Sequence, residues 1–152
     1  MLKFLCMGEK RVLVVDDDEA IRTLLFIVLR RRGFAVDRAR NGDEAIEMME
    51  RCRYAVALLD LMMPVKNGWD VLDWMGKQPR SERPLAIVLT AGMSARSLSP
   101  DVVAGTLHKP FDVELLLDMV QACASFGDGA QRDDCPPPES GHIREQRRGE
   151  VN

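Results

Sequence analysis

The segment Tyr54-Ala55-Val56-Ala57-Leu58-Leu59-Asp60 constrains the fold of this chain more than any other. A run that short and that apolar reads as a strand covered on both faces, the condition of a strand inside a parallel sheet. It ends on a carboxylate that packing alone does not explain. Polar residues also stand at the ends of three other expected strands, and open α/β sheets bind ligands in the crevice outside the carboxyl ends of their strands.

The rest of the chain alternates in the same way. Arg11-Val-Leu-Val-Val15 reads as a first strand, followed by Asp16-Asp17-Asp18. Ile21, Leu24, Leu25, Val28 and Leu29 then share one helical face. That helix closes on Arg30-Arg31-Arg32 and Gly33, where cations suit the helix dipole and glycine suits a left-handed stop. Phe34 to Arg38 reads as a short edge strand. Asn41-Gly42-Asp43 is a turn and cap, and Ala45, Ile46, Met49 and Cys52 mark a second helix. After the strand ending at Asp60, Pro64 and Asn67-Gly68 punctuate a loop, and a third helix is expected from about Trp69 to Lys77. Pro84 to Thr90 is a fourth strand. Residues 94 to 104 lack helical period and are interrupted by Pro100. Thr106-Leu107-His108 is a short fifth strand, followed by Lys109-Pro110. Asp112 caps a last helix with Val113, Leu116, Leu117 and Val120 on one face. Strands and helices in this order imply right-handed βαβ units with helices on both faces of the sheet.

Residues 1–9 form an N-terminal extension and residues 10–126 one domain. Residues 127–152 are rich in Gly, Pro and charge, and are expected to be a disordered tail. A net charge of −3 gives no basic field for nucleic acid. No stretch approaches the roughly 20 apolar residues of a membrane span. The four cysteines, Cys6, Cys52, Cys123 and Cys135, have no paired spacing. They read as core residues and one tail thiol rather than a metal site or disulfide framework, which fits a reducing cytoplasm.

In a parallel sheet all strand ends point one way, so Asp16, Asp17, Asp60, Thr90 and Lys109 converge. Carboxylates held together repel unless a cation sits among them. Mg2+ suits such a site because it takes a few carboxylate oxygens and keeps positions for phosphate and water. Lysine supplies a compact positive charge for a phosphoryl group, and a threonine hydroxyl can donate to one of its oxygens. Such a set can make an aspartyl phosphate.

On Val14-Val15-Asp16-Asp17-Asp18, Leu59-Asp60-Leu61-Met62-Met63-Pro64 with Gly68 beyond, Leu89-Thr90-Ala91 and His108-Lys109-Pro110-Phe111, the chain resembles the receiver domain of bacterial two-component response regulators, single-domain and chemotaxis-regulator-like. The resemblance covers about residues 10 to 125. It implies a flavodoxin-like, doubly wound sheet of five parallel strands in the order 2-1-3-4-5. It implies that Asp60 accepts phosphate from a histidine kinase or phosphotransfer protein. Asp16, Asp17, Asp60 and the backbone carbonyl of Met62 would hold Mg2+. Thr90 and Lys109 would bind the phosphoryl group, and the Lys109–Pro110 bond would be cis. Output would come from binding another protein, as a monomer or weak dimer, with no catalysis beyond the chain's own phosphorylation and dephosphorylation.

The pattern departs from the family in three places, one of them the loop Val65-Lys66-Asn67, which is less usual than the family's common form. Thr106 stands where the family carries tyrosine or phenylalanine, three residues before the lysine. The stretch from Thr90 to Lys109 is also short. These departures leave open a receiver-like module that binds its partner without using phosphate. A phosphatase of the haloacid dehalogenase type is a further reading. Against it, the proposed nucleophile is not on the first strand, position 20 is alanine, and no cap domain is evident. Each residue alone has an ordinary explanation, such as helix capping for Asp16 and Asp17, strand propensity for Thr90 and solvation for Lys109. Their ordered occurrence together argues for a site.

Overall fold

The computed structural model describes residues 10–63, 65–92, 98–126 and 131–139. Five parallel strands form one sheet: β1 (Arg11–Val15), β2 (Ala35–Ala39), β3 (Val56–Asp60), β4 (Leu85–Thr90) and β5 (Val103–His108). Their order is β2-β1-β3-β4-β5, the doubly wound order the resemblance implied. Every residue of β1 and β3 is buried, as the unbroken apolar run required.

Among the described residues four helices cover the sheet: α1 (Glu19–Arg31), α2 (Gly42–Arg51), α3 (Gly68–Gly76) and α4 (Val113–Ala124). Alternate strand residues divide the core into two layers. Leu13, Val15, Ala57, Leu59 and Val88 pack with Ala45 and Met49 of α2 and with Val71, Leu72 and Met75 of α3. Val14, Leu58 and Ile87 face the other way, onto Leu25 and Leu29 of α1 and Leu116 and Val120 of α4. Each large side chain buried in this way contributes about 1.5–3 kcal/mol of transfer free energy. The helix starts follow the sequence signals. Asp18 accepts from the amides of Ala20 and Ile21, Asn67 and Asp70 form a reciprocal capping box, and Asp112 accepts from Glu114 and Leu115. Gly33, at φ 94°, ends α1 in the left-handed region that glycine occupies at least cost.

The fifth strand begins at Val103, three residues before the expected Thr106. Its pairing with β4 carries an irregularity between Ala86 and Ile87. The chain enters β5 from a turn in which the amides of Val102 and Val103 donate to the Ser99 carbonyl at 3.1 and 2.9 Å. Among the described residues no helix joins β4 to β5, consistent with Pro100 and the missing apolar period. Residues 93–97 lie outside the described residues.

Two expectations need correction at the other pole of the sheet. The cysteines were expected to be unpaired, yet Cys52, at the end of α2, is disulfide-bonded to Cys135, with Cα atoms 4.8 Å apart. The pair lies 83 positions apart in sequence, so no local spacing announces it. Nor does the expected tail disorder extend to residues 131–139, which lie against the domain from the amino ends of β1 and β3 to Arg38 of β2. Arg53 N donates to Gln131 Oε1 at 2.6 Å, and Gln131 Nε2 donates back to Arg53 O at 3.0 Å. Arg11 Nη1 donates to Pro136 O at 2.9 Å, and Arg38 holds one Glu139 oxygen at 2.7 and 3.0 Å. Specific charges and one covalent bond, which composition does not report, order this segment. The N-terminal extension 1–9, and residues 127–130 and 140–152 of the tail, lie outside the described residues. Among the described residues no helix is long and apolar enough to cross a membrane.

Candidate functional site

Asp16 leaves β1 and is fully buried, its amide bonded to Ala39 O of β2 at 3.2 Å. One of its carboxylate oxygens accepts from Asp18 N at 2.9 Å, and the other accepts from Lys109 Nζ at 2.9 Å. Asp17, next in the chain, is exposed. Asp60 ends β3 and is 4% exposed. Its Oδ1 accepts from Met62 N at 3.1 Å, and its Oδ2 lies 3.4 Å from Lys109 Nζ. Asp16, Asp17 and Asp60 each offer an oxygen within 4.8 Å of the others. Thr90 ends β4, buried, with its hydroxyl donating to Gly92 O at 2.8 Å. Lys109 follows β5, and its amide donates to Thr90 O at 2.8 Å. The Lys109–Pro110 bond is cis. The structure therefore brings the five side chains singled out in the sequence to the carboxyl end of the sheet. Met62 lies on the rim, largely exposed.

The electrostatics of the cluster are unbalanced. Burial pushes the Asp60 carboxyl up to about 6, and the Asp16 charge adds to this, against the opposing pull of the Met62 amide and Lys109. Burial also works against the Lys109 ammonium, but its hydrogen bond to Asp16 and the fields of Asp16 and Asp60 outweigh that and raise its pKa. Lys109 touches Asp16 and Asp60. Three carboxylates against one ammonium leave an excess of hard oxygen donors. That donor set fits a small divalent cation.

Supporting residues had weaker sequence signals. Arg22, on α1, donates to the carbonyls of Asp16 at 2.9 Å and Asp17 at 3.4 Å, fixing the loop that carries both acids. Nothing in its position on a polar helix face announced this. Gly68 belongs to the motif that follows Asp60, and its role there is steric. A Cβ there would collide with the Asp60 carbonyl oxygen and come within 2.7 Å of Leu61 Cα. The loop between them contains Val65, exposed, with φ 71°.

This fold and this cluster define the class. The chain belongs to the response regulator receiver domain family of two-component signalling, whose model matches residues 12–121. It is 35% identical over 120 residues to protein Rrf1 of Nitratidesulfovibrio vulgaris (strain Hildenborough), covering 78% of this chain and 86% of that protein. It is 38% identical over 119 residues to the transcriptional regulatory protein ResD of Bacillus subtilis (strain 168), covering 76% of this chain but 48% of that protein. The chain thus spans nearly all of one curated relative and about half of the other. Among solved structures, the CheY-like response regulator receiver domain protein from Methanospirillum hungatei JF-1 matches with a TM-score of 0.71 at 25% identity, over 78% of this chain and 95% of that one. The Francisella response regulator 1452 receiver domain matches with a TM-score of 0.69 at 26% identity, over 77% and 98%. Receiver domains bind Mg2+ at an acidic pocket of this kind.

Proposed function

We propose that Asp60 is the phosphoryl acceptor of a stand-alone response regulator. The observation that carries this reading is the meeting of Asp16, Asp17 and Asp60 within 4.8 Å, with Lys109 bridging two of them. A bound Mg2+, held by these carboxylates and the Met62 carbonyl, would neutralise charge on the transferring group. A phosphohistidine on a sensor histidine kinase or phosphotransfer protein supplies the phosphoryl group. The P–N bond breaks, an Asp60 oxygen forms the new P–O bond, and the donor imidazole recovers its proton. Lys109 and the Thr90 hydroxyl bind phosphoryl oxygens, and Met62 N–H holds the other Asp60 oxygen in place. The chain catalyses only its own phosphorylation and dephosphorylation. It works in the cytoplasm as a monomer or weak dimer and signals by binding a downstream protein, with no nucleic-acid or membrane contact of its own. Incubation with acetyl phosphate and Mg2+ tests this by intact mass. A 1:1 adduct lost in Asp60→Asn supports it, and an adduct that persists in that variant overturns it.

Thr106 favours a second reading. It lies exposed on β5 and offers no ring to swing inward. A module that recognises its partner through this edge regardless of phosphate would show the same partner affinity before and after acetyl phosphate treatment.

A further inference from the structure

The strap of residues 131–139 performs no part of the phosphoryl chemistry: its disulfide lies at the opposite pole of the sheet, and none of the contacts described for it involves Asp16, Asp17, Asp60, Thr90 or Lys109. Its attachment is chemically unusual for its surroundings. Apart from the disulfide, the strap is held by polar contacts to Arg11, Arg38 and Arg53. Arg132 reaches the carbonyl of Glu50 and lies 3.6 Å from Glu82, and the Arg38–Glu139 pair is partly exposed on both sides. Ion pairs of that kind are individually weak and are screened by salt. The bond between Cys52 and Cys135 is therefore the strongest tie between the strap and the domain.

The two sulfurs differ in environment. Cys52 is 3% exposed, packed in the layer that contains Ala45 and Met49, whereas Cys135 is part-exposed on the strap. Arg11 Nη1 lies 2.8 Å from Cys135 Sγ. Arg11 is also paired with the buried Asp37 through Nε and Nη2, at 2.8 and 2.6 Å, which leaves Nη1 to donate to a Cys135 thiolate. That hydrogen bond favours the reduced pair and makes the bond easier to open than one between two apolar sulfurs. We propose that Cys52–Cys135 is a site of reversible thiol–disulfide exchange that fastens and releases residues 131–139, acted on by a dithiol reductant of the thioredoxin class and re-formed by a glutathione-class disulfide.

The exchange balances in two steps. A reductant thiolate attacks the accessible Cys135 sulfur, the S–S bond breaks, and Cys52 leaves with the electron pair and takes up a proton. The second reductant thiol then attacks the mixed disulfide. Cys135 leaves as a thiolate beside Arg11, and the reductant ends as its own disulfide. Two electrons pass from reductant to protein. In the reverse direction the Cys135 thiolate attacks glutathione disulfide and expels one glutathione thiolate, and the Cys52 thiolate then attacks the Cys135 sulfur of that mixed disulfide, re-forming the Cys52–Cys135 bond and expelling the second glutathione.

The test uses the full chain at a series of reduced to oxidised glutathione ratios. Thiols are trapped by alkylation and mapped by peptide mass, and amide hydrogen exchange is followed over residues 131–139. The expected result is a Cys52–Cys135 linked peptide that appears and disappears reversibly across the series. Exchange in the strap should rise at least tenfold on reduction while β1 and β3 are unchanged. Cys135→Ser should show the fast strap exchange at every ratio. The proposal is overturned if the linked peptide never forms, if it survives excess dithiothreitol in the folded protein, or if strap exchange is the same in both states. None of these readouts involves phosphate, so their failure leaves the assignment of Asp60 standing, and the reverse holds too.

Discussion

Asp60 is buried among groups that do not fully compensate its charge, and the consequence can be measured. Its folded pKa of about 6 lies above the ordinary 3.8, chiefly because of burial. The native state therefore binds that proton more tightly than the unfolded chain. Ionising Asp60 costs stability as pH rises from 3.8, and the cost is complete above about 6. Without divalent cation, Asp60→Asn should be more stable than the parent at about pH 7.5, by roughly 1–3 kcal/mol. The advantage should fade towards pH 4 in denaturant titrations, and Mg2+ should stabilise the parent much more than the variant. Val65 offers a second test at this scale. A β-branched residue at φ 71° is strained by about 1–2 kcal/mol, part of which glycine's greater chain entropy offsets. Val65→Gly is expected to raise the unfolding free energy by about 1 kcal/mol, read as a shift of the urea midpoint at constant slope.

At the scale of elements, the junction of β3 and α3 is the tightest place near the site. Gly68→Ala would drive a methyl group into the backbone of Asp60 and Leu61, which cannot yield as a flexible side chain can. A loss of roughly 2–3 kcal/mol is expected, with a slower acetyl phosphate reaction because the Asp60 carbonyl must move. The legibility of the chain also divides by element. The strands β1 and β3 were plain in the sequence, because a strand buried on both faces must be apolar throughout. The polar residues after them were plain for the converse reason, since a buried carboxylate at a strand end needs partners. The start of β5 was not plain. Its residues Val103, Ala104 and Gly105 lie on a half-exposed edge where no face demands a pattern. Arg22 was also hidden, because its bonds go to backbone carbonyls, which any sequence provides.

On the scale of the molecule, the sheet separates two chemistries by the length of its strands. The acids and Lys109 occupy the carboxyl end, and the disulfide lies towards the amino end, from which the strap runs as far as Arg38 of β2. Removing residues 127–152 should leave the rate of Asp60 phosphorylation within about twofold of the parent. With the disulfide reduced, so that only the polar strap contacts are lost, it should lower the thermal midpoint by roughly 3–6 °C, the equivalent of about 1 kcal/mol for a domain of this size. The strap escaped the sequence reading because its order rests on pairings between distant residues, such as Arg38 with Glu139 and Cys52 with Cys135. Composition counts those residues as solvated charge and stray thiols.

The abbreviated passage from β4 to β5 bears on how the chain assembles in time. Ala86 and its partner Val103 are nearer in sequence than the first registered pairs of the other ladders, Arg11 with Ala35, Val12 with Val56 and Val56 with Leu85. Parallel strands are ordinarily slow to meet because the intervening chain must be closed first, and that entropy grows with loop length. The last two strands face the smallest such barrier in this sheet. Pulse-labelled refolding should find the amides of β4 and β5 protected before those of β1 and β2, so that this edge of the sheet nucleates the order of the rest.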